Sequence, residues 1–161
     1  AGLWAGVGAA AAAARPVAWS TAAIESATLP PPIDSTCTQT LSPRATASRA
    51  DRGALFENLV FSELTKTLAQ PDDLHHWRTK GGAEVDFVLW RPGAPPVAVE
   101  AKVGARPGRL SRGARSFLQA YQPERFLTLT QGDEADATIE GVPCRWRKLH
   151  RLGEEIPARF R

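Results

Sequence analysis

The chain has no methionine, two cysteines and one tyrosine among its 161 residues. Cys37 and Cys144 lie far apart and belong to no C-x-x-C pair, which argues against a disulfide framework and a cysteine zinc site. A reducing, cytoplasmic setting is the default expectation. Long apolar runs are also missing. The opening AGLWAGVGAAAAAARPVAW is too short and too broken by glycine to span a bilayer, and it lacks the basic start of a secretory leader. No membrane partner is therefore expected. The same stretch has no Lys-Ser/Thr to close a phosphate-binding loop, and no Ser-His-Asp spacing or glycine-rich nucleotide loop occurs elsewhere. Without methionine even at position 1, the chain reads as a processed or truncated piece of something longer. Charge of one sign is scarce too. Lys and Arg number 20 against 17 acids, a net +3 that permits nucleic-acid contact without arguing for it.

What remains divides in two. Residues 1–50 combine an alanine run, Ala9–Ala14, with a Thr/Ser/Pro-rich stretch interrupted by Pro30–Pro32. This composition offers no large apolar face, so a low-complexity, mostly irregular or remnant segment is expected. From Asp51 to Arg161 the pattern tightens. Leu55, Phe56, Leu59, Val60, Glu63, Leu64 and Leu68 follow a helical repeat that begins near Ser48 or Asp51 and is stopped by Pro71. His75–Arg78 make a short strand. In AEVDFVLW, Ala83, Val85, Phe87 and Leu89 alternate with Glu84, Asp86, Val88 and Trp90, the pattern of a strand covered on both faces. VAVEAKV (Val97–Val103) is a second strong strand. A helix follows from about Leu110 or Ser111, with Leu110, Ala114, Phe117, Leu118 and Tyr121 in line. RFLTLT (Arg125–Thr130) reads as an interior strand, QGDEADATIEG as a polar loop, and VPCRWRKLHRLG as a last strand or hairpin arm. The expected fold is a mixed α/β sandwich, with helices covering a sheet.

Three ionisable residues stand inside the strongest strands. Asp86 lies between Val85 and Phe87, while Glu100 and Lys102 are two apart and so point to one face. If the two strands are neighbours, Asp86 and Glu100 stand side by side with Lys102 one step along. Burying such groups is expensive unless they are paired or bind a metal. Two carboxylates suit Mg²⁺, or Mn²⁺, which keep several waters in such a site. Asp86 and Glu100 would hold the ion and a phosphate oxygen, and Lys102 would orient the attacking water and stabilise developing charge. Glu57, beside the apolar face of the first helix, is a further candidate ligand. Glu84 shares the period-two face of Asp86, or else pairs with Arg78 or Lys80.

GALFENLVFSEL (Gly53–Leu64), HHWRTKGGAEVDFVL (His75–Leu89) and PVAVEAKVG (Pro96–Gly104), in that order and spacing, resemble a domain of unknown function. That domain sits at the C-terminus of many bacterial and archaeal AAA-type ATPases and is similar to the restriction-endonuclease-like, PD-(D/E)XK nuclease fold. The resemblance covers roughly Asp51 to Thr130. It implies a mixed sheet flanked by helices, with the family's helix glutamate on Glu57, its acidic strand residue on Asp86 and its (D/E)XK pair on Glu100-Ala101-Lys102. Trp77-Arg78, Gly82, Phe117 and Tyr121 also match its pattern. The implied activity is Mg²⁺-dependent hydrolysis or binding of nucleic-acid phosphodiesters, DNA foremost, with an AAA-type ATPase module as partner in cis or in trans. The alternative is a catalytically inactive accessory or interaction domain of an ATPase-related protein. Residues 1–50 resemble neither the ATPase nor the winged-helix-like stretch that joins the two.

Two basic stretches complete the reading. Arg106, Arg109, Arg112 and Arg115 follow Lys102 with no acid between them, either as phosphate contacts beside the site or as an ordinary solvated face. Arg145, Arg147, Lys148, His150 and Arg151 form a second stretch with the same two readings. His75 and His76 are adjacent, face opposite ways on a strand and are poor joint metal ligands. Trp77 and Cys144 read as core.

Overall fold

The computed structural model describes residues 51–161 and one strand before them, β1 (Ile24–Ser26). The alanine run, Pro30–Pro32 and Cys37 lie outside the described residues, and so does most of the segment expected to be irregular.

α1 (Arg52–Thr67) forms where the apolar residues recur every four positions, and it buries Phe56, Val60 and Leu64. It ends at Leu68, whose extended ψ of 132° leads the chain out before Pro71. Leu59, expected on the buried face, is 48% exposed. The sheet covers only the narrow ridge of the i, i+4 row, and Leu59 lies off it.

The strands that follow are β2 (Leu74–Arg78), β3 (Glu84–Leu89), β4 (Val97–Ala101), β5 (Arg125–Leu129), β6 (Ala135–Ile139) and β7 (Val142–Arg147). With β1 they make one sheet in the order β1-β2-β3-β4-β5-β7-β6. β1 to β4 run antiparallel in succession, β4/β5 and β5/β7 are parallel, and β6 returns antiparallel on β7. The parallel step from β4 to β5 needs a crossover, which α2 (Arg112–Tyr121) supplies. α3 (Leu152–Glu155) belongs to the C-terminal segment.

The two faces of the sheet hold separate cores. On one, α1 and the C-terminal Leu152, Ile156 and Phe160 pack on Phe87, Leu89, Val97, Val99, Leu127 and Leu129. On the other, Ala114, Phe117 and Leu118 of α2 pack on Val85, Val88, Ala98, Phe126 and Trp146. Each fully buried large side chain of this kind contributes about 1.5–3 kcal/mol by leaving water. Trp77 is core, as expected: it meets Phe117 edge-on and donates its indole N–H to the Tyr121 hydroxyl at 3.2 Å. Cys144 is buried among the same residues.

Two expectations are corrected. QGDEADATIEG is not simply a polar loop, because Ala135–Ile139 is the edge strand β6. Its alternation of partly buried Ala135, Ala137 and Ile139 with exposed Asp136 and Thr138 is that of a half-covered edge. Glu140 (φ 53°) and Gly141 (φ 82°) make the two-residue turn into β7, with both residues in the left-handed region that such a hairpin requires. The simple alternation read in β3 also fails. The pairing with β2 passes from His75↔Val88 to Trp77↔Val85, so Asp86 and Phe87 together stand against His76. This bulge changes the phase of the strand: Val85 joins Val88 in one core, while Phe87 and Leu89 face the other. Among the described residues no helix is long and apolar enough to cross a membrane.

Candidate functional site

The bulge sits where the acidic residues gather. β3 pairs with β4 through Leu89↔Val97, Val88↔Ala98 and Phe87↔Val99, and the next step of that register sets Asp86 beside Glu100. The ladder gives way there, and the Asp86 carboxylate accepts the Ala101 N–H at 2.8 Å in place of a strand carbonyl. A backbone donor at the end of β4 is thereby satisfied by a side chain.

Glu100 is held from the other core. The Ser111 hydroxyl lies 3.5 Å from its carboxylate, and the same hydroxyl accepts the Ala114 N–H, capping α2. Gly113 allows this end of α2 to approach so closely. A Cβ there would lie 2.1 Å from the Glu84 carbonyl oxygen and 2.7 Å from the Glu84 nitrogen. The first turn of α2 thus lies directly on the start of β3.

Electrostatics follow from this crowding. Burial, reinforced by the charges of Glu57, Glu100 and Glu84, pushes Asp86 up to about 7 against the opposing Ala101 hydrogen bond. Burial raises Glu100 as well, and the nearby Lys102 charge and the Ser111 hydroxyl oppose it. Glu57, though exposed as a residue, is raised by partial loss of water around its carboxyl and then by Glu84.

The structure therefore brings together most of the residues expected at a site. Glu57 and Asp86 line one cavity of about 230 Å³, shared with Asn58, Phe61, His76 and Glu84. Glu100 and Lys102 line a second, of about 300 Å³, with Arg106, Arg109, Ser111 and Thr128. Lys102 falls one residue past the end of β4 and is exposed. It makes no ion pair within 4.0 Å among the described residues. Its backbone N–H continues toward β5, donating to the Leu129 carbonyl at 2.9 Å.

The fit to a divalent ion is partial. Asp86 feels both Glu57 and Glu100, but the carboxylates open into two cavities. Among the described residues no group of three His, Cys, Asp or Glu side chains is arranged to hold a metal. The donors are of the hard type that Mg²⁺ takes.

Glu84 is expected to share the face of Asp86 or else to pair with Arg78 or Lys80; its charge raises Asp86, Glu57 and Glu100 alike, and Arg78 stands 3.8 Å from it. Its period-two relation to Asp86 was the available signal. Ser111, Asn58 and His76 carried none, because their place depends on tertiary packing. The second basic stretch is largely spent within the protein. Arg145 and Arg147 both bind the buried Glu155, at 2.7 Å and 2.9 Å, Arg147 also meets Asp136, and Arg151 pairs with Glu134 and Glu154. Of the first stretch, Arg115 stands 3.8 Å from Glu140, whereas Arg106 and Arg109 open onto the second cavity.

Residues 52–148 match the family model described as Domain of unknown function (DUF4143). The chain belongs to that family. Its matched span runs from the start of α1 through β7 and so includes every residue of the acidic constellation. No curated protein matches the chain. A solved chain from an assembly of Thermococcus gammatolerans McrB AAA+ hexamers with bound McrC is similar over 60% of this chain and 27% of that chain. The TM-score is 0.45 at 13% identity, a likeness too weak to carry a reading of fold or function.

Proposed function

We propose that this domain is a non-cleaving accessory domain of an ATPase-associated protein, with the acidic constellation retained as a structural junction. The observation that carries the reading is the use made of the two strand carboxylates. Asp86 closes the end of β4 through the Ala101 N–H, and Glu100 meets the Ser111 hydroxyl that caps α2. Both groups tie α2, β3 and β4 together, and no three-donor set forms around them among the described residues. The ATPase link comes from the family's place beside AAA-type ATPases, as the motifs around Glu57, Asp86 and Glu100 imply. Kinship with the PD-(D/E)XK fold is part of the proposal. It is supported by the antiparallel β2-β3-β4 run, the parallel β4-α2-β5 crossover and the acidic residues at its centre.

A second reading, a Mg²⁺-dependent nuclease, is favoured by one observation. Asp86 is raised to about 7 by burial and by the charges of Glu57, Glu100 and Glu84, and a bound divalent ion would relieve that repulsion. Asp86 and Glu100 would hold the ion, with Glu57 as an outer ligand, and the ion would supply charge neutralisation at a phosphodiester. Lys102, which lines the Glu100 cavity, would meet a phosphate there.

Calorimetric titration of the intact chain with Mn²⁺, beside Asp86→Asn and Glu100→Gln, separates the two. The accessory reading predicts no stoichiometric binding. One ion bound by the wild type and lost in both variants would overturn it.

A further inference from the structure

We infer that the cavity between the end of β4 and the start of α2 is a binding site for the backbone phosphates of nucleic acid, with Arg106 and Arg109 as its principal contacts. The inference goes beyond the accessory reading and depends on neither account of cleavage.

The first observation is how the protein distributes its arginines. Arg91, Arg125, Arg147, Arg151 and Arg159 each pair with a carboxylate of the fold. Arg106, Arg109 and Arg112 do not: no acceptor lies within hydrogen-bond reach of their side chains among the described residues, and all three are exposed. Between Glu100 and Glu124 the chain carries no acid that could pair with them locally. Unpaired guanidinium groups are forks shaped for phosphate oxygens.

The second observation is the concavity. Lys102, Arg106 and Arg109 line a space of about 300 Å³ together with Ser111 and Thr128. One carboxylate, Glu100, also lines it, and its oxygen lies toward the Ser111 hydroxyl at 3.5 Å. Three cations against one carboxylate leave the cavity positive. The ten-residue α2 begins at its wall, so the positive end of the helix adds to the field. Arg112 follows on the first turn of α2, which extends the row beyond a single phosphate and suits a repeating polyanion.

A lipid headgroup offers the same phosphate chemistry, but the surface argues for nucleic acid. Among the described residues the exposed large apolar side chain is Leu59, on α1, which packs on the opposite face of the sheet from α2. Ala105 and Leu110, the apolar residues that line the cavity beside the arginines, are partly buried against the core. Among the described residues no large apolar side chain therefore stands exposed there to enter a bilayer.

The test is fluorescence anisotropy with labelled single- and double-stranded DNA oligonucleotides at low salt, in EDTA so that cleavage plays no part. The wild type is compared with Arg106→Ala/Arg109→Ala, and with Lys66→Ala, exposed on α1 on the opposite face of the sheet from α2, as a control. The double variant should bind roughly tenfold or more weakly, and its log Kd against log salt should be shallower by about two phosphate contacts. The control should match the wild type. Melting curves should coincide, since the two arginines hold nothing in the fold. No oligonucleotide binding by the wild type, an equal loss in the control, or an undiminished affinity in the double variant overturns the inference. So does binding to phosphatidylserine vesicles but not to oligonucleotides.

Discussion

Replacing Asp86 with asparagine should make the protein more stable at neutral pH, although it removes the most buried charge of the acidic constellation. Asp86 is raised from 3.8 to about 7, first by burial and then by Glu57, Glu100 and Glu84. Ionising it in the fold therefore costs about 4 kcal/mol more than in the unfolded chain. The sign follows from proton counting. Between about pH 4 and pH 7 the unfolded chain has lost this proton and the fold keeps it, so stability falls as pH rises and levels off above the folded value. Asparagine carries no charge, and its amide oxygen can accept the Ala101 N–H as the carboxylate does now. Water entry and relaxation of the neighbouring acids reduce the measurable gain to about 2 kcal/mol. Urea unfolding at several pH values should therefore show Asp86→Asn above the wild type at about pH 8, converging toward it near pH 4. A variant no more stable than the wild type at the alkaline end, with an unchanged pH slope, would refute the electrostatic reasoning. Millimolar Mg²⁺ adds a second readout. The accessory reading predicts no stabilisation of the wild type by the ion, whereas a metal site would make magnesium stabilise the wild type and not the variant.

Two further substitutions test how the site is held. Gly113→Ala places a Cβ 2.1 Å from the Glu84 carbonyl oxygen, a backbone atom that cannot swing aside. A loss of roughly 2–3 kcal/mol is expected in chemical denaturation, and unchanged stability would show that α2 can retreat from β3. Glu155→Ala removes the buried partner of Arg125, Arg145 and Arg147 and leaves the 8%-exposed Arg147 with the Asp136 carboxylate and the Ala135 and Trp146 carbonyls. The expected cost is roughly 3 kcal/mol, read as a lowered urea midpoint. A near-neutral result would mean that the cluster is solvated and not a structural knot.

Much of the element order could be read from the residues themselves. The Phe56/Val60/Leu64 row, the strand that begins at Val97 and the start of α2 near Ser111 carry strong local signals and stand where periodicity put them, although the strand read as Val97–Val103 ends at Ala101. The pairing of Asp86 beside Glu100 followed from two adjacent strands and a short turn. The bulge at Asp86–Phe87 left no mark in the alternation, because Val85, Phe87 and Val88 are apolar and fit either core. β6 was hidden by its composition. An edge strand needs only a half-apolar face, and alanine at 135 and 137 supplies too little signal to outweigh the surrounding Asp, Glu and Gly. The second basic stretch misled for a different reason. Arg145, Arg147 and Arg151 look free in the chain, but Glu155, Asp136 and Glu134 reach them through β6 and the C-terminal turn. Pairing of that kind is set by topology and not by local pattern.

The central claim is that this domain does not cut phosphodiesters, and a direct cleavage assay tests it. The intact chain would be incubated with fluorophore–quencher single- and double-stranded DNA and RNA in Mg²⁺ and in Mn²⁺, beside Lys102→Ala and Asp86→Ala. The account predicts no metal-dependent cleavage above background from any of the three proteins. Cleavage by the wild type that both substitutions abolish, with folding intact by circular dichroism, would contradict it and establish Asp86, Glu100 and Lys102 as a working nuclease centre.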